Sequence, residues 1–86
     1  MMTQVAKDGL DALGSLIARG EERRVNAMIH IAFLEAEDQN PHEARADLMA
    51  IEKFLKTMRT QRALLIASIH HNDMAKGEAN TLQSAA

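Results

Sequence analysis

The fold is decided by a stretch that begins Asn40-Pro41-His42-Glu43 and ends Met74-Ala75-Lys76-Gly77. Asn40 is a preferred helix N-cap, and Pro41 at the first helical position gives up no hydrogen bond that a helix would make. No proline or glycine follows before Gly77, which is placed to end a helix as its C′ residue. The sequence therefore predicts one helix over 41–76, about 54 Å long.

The apolar residues of this stretch recur at alternating steps of four and three, which is the pattern of a coiled-coil seam. They are Ala44, Leu48, Ile51, Leu55, Met58, Leu65 and Ile69. Arg62 interrupts the series, and we expect it either to extend to solvent or to fix the register of the packing. A helix this long needs another helix to cover its seam.

The first half of the chain allows two interpretations, which differ at Gly20. In one, Gly20 caps a helix over 4–19 and a second helix begins at Glu21, which gives a three-helix bundle. In the other, a single helix capped by Thr3 runs over 3–38, and a heptad series continues through the glycine. The members of that series are Leu10, Leu13, Ile17, Gly20, Arg24, Ala27, Ile31 and Leu34.

Equal arm lengths favour the second interpretation, an all-α, coiled-coil-like antiparallel hairpin with arms over 3–38 and 41–76. Gln39 and Asn40 would make the turn, and Gly20 would lie opposite Met58 to Arg62, where its missing side chain leaves room for a bulky one. We expect one helical domain over 1–77 and a flexible tail over 78–86.

The first arm is apolar on a second side as well. Six apolar residues lie away from the seam and within about 140° of one another, and a hairpin alone leaves them uncovered. They are Val25, Met28, Ile29, Ala32, Phe33 and Ala36. Phe54, Leu64 and Ile66 likewise stand off the seam of the second arm. We expect these residues to form an interface, either with residues 4–19 in a three-helix bundle or with another copy or a partner helix.

The composition narrows the possible functions. Of 86 residues, 47% are hydrophobic and 26% are charged, which is typical of a globular or coiled-coil protein. The absence of cysteine excludes disulfides and zinc-thiolate sites, and the aromatic content of 2% disfavours stacking on nucleobases. No apolar run has the length of a signal peptide core or a membrane span. We therefore expect a cytoplasmic protein, with signal-less secretion left open.

Charge is distributed unevenly along the predicted hairpin. The tip carries the carboxylates of Glu35, Glu37, Asp38, Glu43 and Asp47. Around the middle lies a set of basic residues that we call the charged belt. It consists of Arg19, Arg23, Arg24, Lys53, Lys56, Arg59 and Arg62.

One interpretation of this charge distribution is a solvated surface with weak ion pairs. Another is that the tip of one copy docks on the belt of the next, which predicts staggered assembly. Phosphate binding is a third, although the belt lacks a recognition helix.

The sequence contains no pattern that names a reaction or a cofactor. His70 and His71 are adjacent, hence about 100° apart on a helix, and neither has a histidine or carboxylate at i+4. Ser15 has no histidine at a neighbouring helical position. We expect no metal, no cofactor and no enzymatic activity.

The outline of two long helices joined by an Asn-Pro turn resembles the needle subunits of type III secretion systems or their small helical-hairpin chaperones. The matching residues are Asn40-Pro41, Ile51, Phe54 and Arg59 next to Met58. The chain departs from that family in having no tyrosine in its second helix and in ending Leu82-Gln83-Ser84-Ala85-Ala86. The resemblance implies helical polymerisation or a chaperone complex.

Taken together, these patterns predict a non-enzymatic helical protein–protein interaction module. It would act as a self-assembling subunit, an adaptor or an inhibitor of a partner protein, as a homo-oligomer or with one protein partner. A small nucleic-acid-associated regulator that uses the charged belt is the alternative from another functional class.

Overall fold

The computed structural model describes the backbone of residues 3–85 and the side chains of residues 3–71. Two helices, α1 (Gln4–Ala36) and α2 (His42–Ala85), lie antiparallel and form a hairpin. The rod measures 74 × 20 × 13 Å, and its radius of gyration is 20.6 Å. A compact chain of this length would have a radius of gyration of about 12 Å. The predicted all-α hairpin is confirmed.

The alternative of a three-helix bundle is wrong. α1 runs through Gly20 without a break, and no glycine of the described backbone has a positive φ. Residues 4–19 therefore continue along α2 and do not fold back over Val25. The reason is that Gly20 lies within the seam, where close approach of α2 compensates for its low helix propensity.

The predicted seam is confirmed on both helices, because the least accessible positions of residues 3–71 follow the two heptad series. Arg62 is the exception, since this seam residue is exposed. Within that range only Gly20, Ala44 and Leu55 are fully buried. The hairpin thus has a seam one side chain wide rather than a thick core.

The closest approach of the two helices lies between Gly20 and Leu55. A Cβ atom added to Gly20 would lie 2.5 Å from Leu55 Cδ2 and 3.1 Å from Leu55 Cγ. Because Leu55 is only 1% exposed, it has no free space to move into. As expected, the missing side chain of Gly20 makes room for a bulky residue. That residue is Leu55, with Phe54 beside it, and not one from the predicted range of Met58 to Arg62.

The shift in register by about one helical turn originates in the connection between the helices. We expected only Gln39 and Asn40 to turn the chain, but residues 37–41 all lie outside the helices. The connection is five residues long instead of two, with the left-handed residue Asp38 at its second position. α2 is therefore displaced along α1 relative to a symmetric turn.

Both ends of this connection are capped by hydrogen bonds. The Gln39 amide donates to the Leu34 carbonyl at 2.8 Å and the Asp38 amide donates to the Glu35 carbonyl at 3.1 Å, which is the Schellman motif. Asp38 has a φ of 56°, the left-handed position that glycine usually fills in this motif. At the start of α2, Asn40 Oδ1 accepts from the His42 amide at 3.1 Å, so the predicted N-cap is confirmed.

The outer ends of the helices were also predicted. Thr3 Oγ1 accepts from the Ala6 amide at 3.1 Å, which confirms the N-cap of α1. α2 extends to Ala85, beyond the helix end that we expected at Gly77. A glycine inside a helix costs only about 1 kcal/mol, which a long helix tolerates. The flexibility expected of residues 78–86 concerns a segment outside the described side chains and stays a prediction. Over the described residues neither helix has an apolar stretch able to cross a membrane.

Two glycines of α1 provide a matched test of the seam. We expect Gly20→Ala to lower the free energy of unfolding by about 2 kcal/mol, because the new methyl group overlaps Leu55. Gly14→Ala should raise it by up to about 1 kcal/mol, since no atom lies within 4 Å of the added Cβ and alanine is the better helix former. Urea unfolding followed by circular dichroism measures both. Equal effects of the two substitutions would contradict the register described above.

The turn provides a second test. We expect Asp38→Gly to raise the free energy of unfolding by about 0.5–1 kcal/mol, because glycine adopts a positive φ without steric cost. Glu37, with a φ of −91°, is the matched control, and Glu37→Gly should give no such gain. The measurement is the midpoint of urea unfolding, compared between variants whose free energy of unfolding depends on urea concentration with the same slope. If Asp38→Gly instead lowers the free energy of unfolding, the contacts of the Asp38 side chain stabilise the turn by more than its positive φ destabilises it.

Candidate interaction surfaces

The predicted second apolar side of α1 lies in solvent. We call it the outer face, and its members are Val25, Met28, Ile29, Ala32, Phe33 and Ala36, all of them exposed. Ile29 and Phe33 are the most open of its large side chains, at 62% and 60% exposure. A continuous apolar surface of this kind on one face of a helix usually marks an interaction site.

The outer face follows from the sequence of α1, which carries two seams. Val25, Ile29, Ala32 and Ala36 recur at steps of four, three and four, the same spacing as the seam that α2 covers. The two series lie on opposite sides of the helix because they are offset by about half a turn. A two-helix hairpin can cover only one of them.

The apolar residues predicted off the seam of α2 are exposed but are not gathered on one surface. Phe54 lines an open groove beside Gly20, and Ile66 lines another beside Gly14. Leu64 is exposed and lines neither groove. The structure thus brings together the predicted residues of α1 and separates those of α2.

Sequence reasoning missed the exposed apolar side chains of Val5 and Met49, and Leu16, predicted on the apolar side of the first helix, is 39% exposed. Met49 is 71% exposed. Its position one residue after the seam residue Leu48 was a signal that could have found it, since residues at that heptad position point away from the partner helix.

Among residues 3–71, three ion pairs join the helices. Arg59 pairs with Glu21, Arg24 Nε lies 3.7 Å from Glu52 Oε1, and Arg45 Nη2 lies 2.5 Å from Glu35 Oε1. By heptad position all of these residues except the seam residue Arg24 belong to one flank of the hairpin. Because the side chains are half exposed, each pair adds little to stability.

These ion pairs change the interpretation of the charged belt. Two of its members, Arg24 and Arg59, are neutralised within the chain. The remaining members are Arg19, Arg23, Lys53, Lys56 and Arg62, which occupy different heptad positions and do not share one face. At the tip, Glu35 is neutralised by Arg45. The middle of the rod stays basic and its tip stays acidic, but neither is a continuous charged surface.

The opposite flank carries a groove of about 570 Å³. Its floor is formed by small residues, which leave space between the helices, and by two larger apolar ones. They are Gly20, Ala27, Ala44, Ala50, Ile51 and Phe54. Arg23, His30 and Asp47 lie at its rim. The groove is open to water along its length, so it offers no enclosed environment that would change the reactivity of these groups.

The candidate metal ligands are not assembled into a site in the described part of the chain. Within residues 3–71 no group of three or more histidine and acidic side chains is close enough to hold a metal ion. His30, His42 and Asp47 line one shallow groove near the tip but do not form such a group. His70 and His71 are both exposed, as expected of surface residues.

Comparison with protein-family models, with characterised proteins and with solved structures finds no match to this chain. The resemblance to needle subunits and their chaperones therefore stays an expectation drawn from Asn40-Pro41 and the residues after it.

Arg62 can be tested as the polar interruption of the α2 seam. It is exposed and lies beside Leu10 and Gly14 in an open groove. We expect Arg62→Leu to raise the free energy of unfolding by about 1 kcal/mol, because leucine buries apolar surface at a seam position. Lys53→Leu, at an exposed position away from the seam, is the control and should have an effect near zero. Chemical denaturation of both variants measures these changes. If Arg62→Leu lowers the free energy of unfolding, Arg62 stabilises the register of the two helices.

Proposed function

We propose that this protein is a non-enzymatic helical interaction module that associates through the outer face of α1, as a self-assembling subunit. The observation that supports this most directly is the exposure of Ile29 and Phe33, at 62% and 60%, on the outer face. Burying large apolar side chains of this kind stabilises a complex by about 25 cal/mol per Å² removed from water.

The total surface area supports the same proposal. The chain exposes 6856 Å². A compact monomer of the same mass exposes about 5,000 Å². The excess is larger than the roughly 800 Å² that each partner contributes to a standard interface. A protein with so thin a seam gains stability when a further helix covers its second apolar side.

The alternative functions receive less support. A regulator that binds nucleic acid would need a continuous basic surface, but Arg24 and Arg59 are paired with glutamates of the same chain. Catalysis would need a site that excludes water, and the grooves along residues 3–71 are open. Adaptor and inhibitor functions use the same outer face with a different partner, so they are variants of the proposal.

The first measurement is the mass of the purified protein in solution, at two protein concentrations and two salt concentrations. Association driven by apolar burial should persist at high salt, because salt screens charges but does not weaken the hydrophobic effect. A monomer under every condition would overturn the self-assembling proposal. Loss of assembly on raising the salt would shift the interface to the charged residues.

Two substitutions separate association from folding. We expect Phe33→Asp to dissociate the assembly and leave the helix content unchanged, because Phe33 faces solvent in the single chain. Leu55→Asp should unfold the hairpin, since it places a carboxylate at the most buried position of the seam. Light scattering and circular dichroism give the two readouts.

The matched control for Phe33→Asp is Val5→Asp, at an exposed apolar position outside the outer face. It should change neither mass nor helix content. Equal loss of helix content in Phe33→Asp and Leu55→Asp would contradict the division between an outer face and a seam.

A further inference from the structure

We infer that the occupant of the outer face is the outer face of a second copy, with the two α1 helices antiparallel and a two-fold axis passing between His30 and Ile31. This inference rests on the proposed function and adds the identity and orientation of the partner. Two properties of the described residues support it, namely the order of large and small side chains and the charge along the rod.

The outer face is complementary to itself when it is reversed. With the axis between His30 and Ile31, Val25 faces the partner's Ala36 and Ile29 faces the partner's Ala32. Each of these layers joins a large side chain to a small one, which lets two helices interdigitate. A parallel arrangement in register would instead place Ile29 on Ile29 and Ala32 on Ala32.

The remaining large side chains lie beside these layers. In an antiparallel helix pair, equivalent flanking positions meet across the two-fold axis. Met28 would therefore contact its own symmetry mate on one side, and Phe33 would contact its mate on the other. All four large side chains of the outer face are thus covered by one symmetric contact, as an isologous interface requires.

The same axis limits the overlap to the apolar part of α1. Glu22 continues the apolar series toward the N-terminus and would be buried by a longer overlap. With the axis between His30 and Ile31, Glu22 lies level with the partner's Gln39, which belongs to the exposed connection. The charged side chain then remains at the hydrated edge of the contact.

Charge along the rod favours the antiparallel orientation. The tip of one copy, which is acidic, lies beside the basic middle of the other, near Arg19 and Arg23. A parallel arrangement in register would place tip beside tip and belt beside belt. Complementary charges at the edge of an interface mainly select the orientation and speed association.

On the flank that carries the ion pairs, Glu21 of one copy would approach the partner's Glu35. Each glutamate already has an arginine of its own chain, Arg59 and Arg45 respectively. The two ion pairs therefore meet without a net charge, and each glutamate lies within reach of the arginine of the other pair.

The proposed geometry has a distinctive shape. Because the axis lies near the tip, the two rods overlap over only about 20 residues of α1, or about 30 Å, and extend in opposite directions. For rods with a radius of gyration of 20.6 Å this gives a dimer with a radius of gyration of about 30 Å. Two rods lying side by side in register would give about 22 Å.

The first arm of the test is small-angle X-ray scattering on the full-length dimer. A radius of gyration near 30 Å is expected, and a value near 22 Å would overturn the inferred orientation. With a radius of gyration near 22 Å the protein still assembles, so the proposed function stands. A monomer would remove both the inference and the self-assembling proposal.

The second arm exchanges the large and the small residue of one layer. We expect Ala32→Ile to weaken dimerisation by about tenfold or more, because it meets the partner's Ile29. Ile29→Ala should also weaken it, by leaving a cavity. The double substitution Ile29→Ala with Ala32→Ile recreates the same layer with the roles reversed, and we expect it to return the dissociation constant to within about threefold of the original.

Ala12→Ile is the matched control, since Ala12 is exposed and lies outside the overlap. It should leave the dissociation constant unchanged. Sedimentation equilibrium measures the constants, and circular dichroism verifies that each variant is helical. If the effects of the two single substitutions simply add in the double variant, Ile29 and Ala32 do not face each other, and the inferred pairing is wrong.

Discussion

The contact between Leu55 and the backbone of Gly20 fixes the arrangement of the whole hairpin. Leu55 is the most buried large side chain among residues 3–71, and the space that it fills exists only because Gly20 has no Cβ atom. This contact sets how closely the two helices approach and which residues lie opposite one another. It also explains why a glycine is tolerated in the middle of a helix as long as α1, since packing of the two helices offsets its unfavourable propensity.

A hairpin fixed in this way can cover only one side of each helix. The consequence is most pronounced on α1, where α2 leaves a second apolar series, from Val25 to Ala36, exposed. The three surfaces around the seam therefore differ in chemistry. One flank is joined by ion pairs, the other is an open groove lined by small residues, and the outer face is apolar. Of the three, the outer face offers the largest gain from burial.

Apolar and charged residues have separate functions in the proposed association. Exposed ion pairs such as Arg24 with Glu52 lie within one chain and add little free energy, so exposed charge is a weak source of affinity. In the proposed association, burial of Ile29 and Phe33 would supply the affinity, whereas the acidic tip and the basic middle would select the relative orientation of the copies. This division resembles that of coiled coils, where the seam drives association and the flanking charges choose the partner orientation.

The sequence by itself determined the helical fold, the two capping residues Thr3 and Asn40, and the membership of the seam, because these features depend on local propensity and on periodicity along one chain. It also identified the outer face of α1, since that face is a property of a single helix. Only the tertiary structure decided that α1 is unbroken at Gly20 and that Leu55 lies against it. Register depends on how many residues the turn contains, and the Schellman motif at Asp38 carries no periodic signal. The pairing of Arg24 and Arg59 with glutamates of the other helix was likewise hidden in the sequence, because it follows from that register.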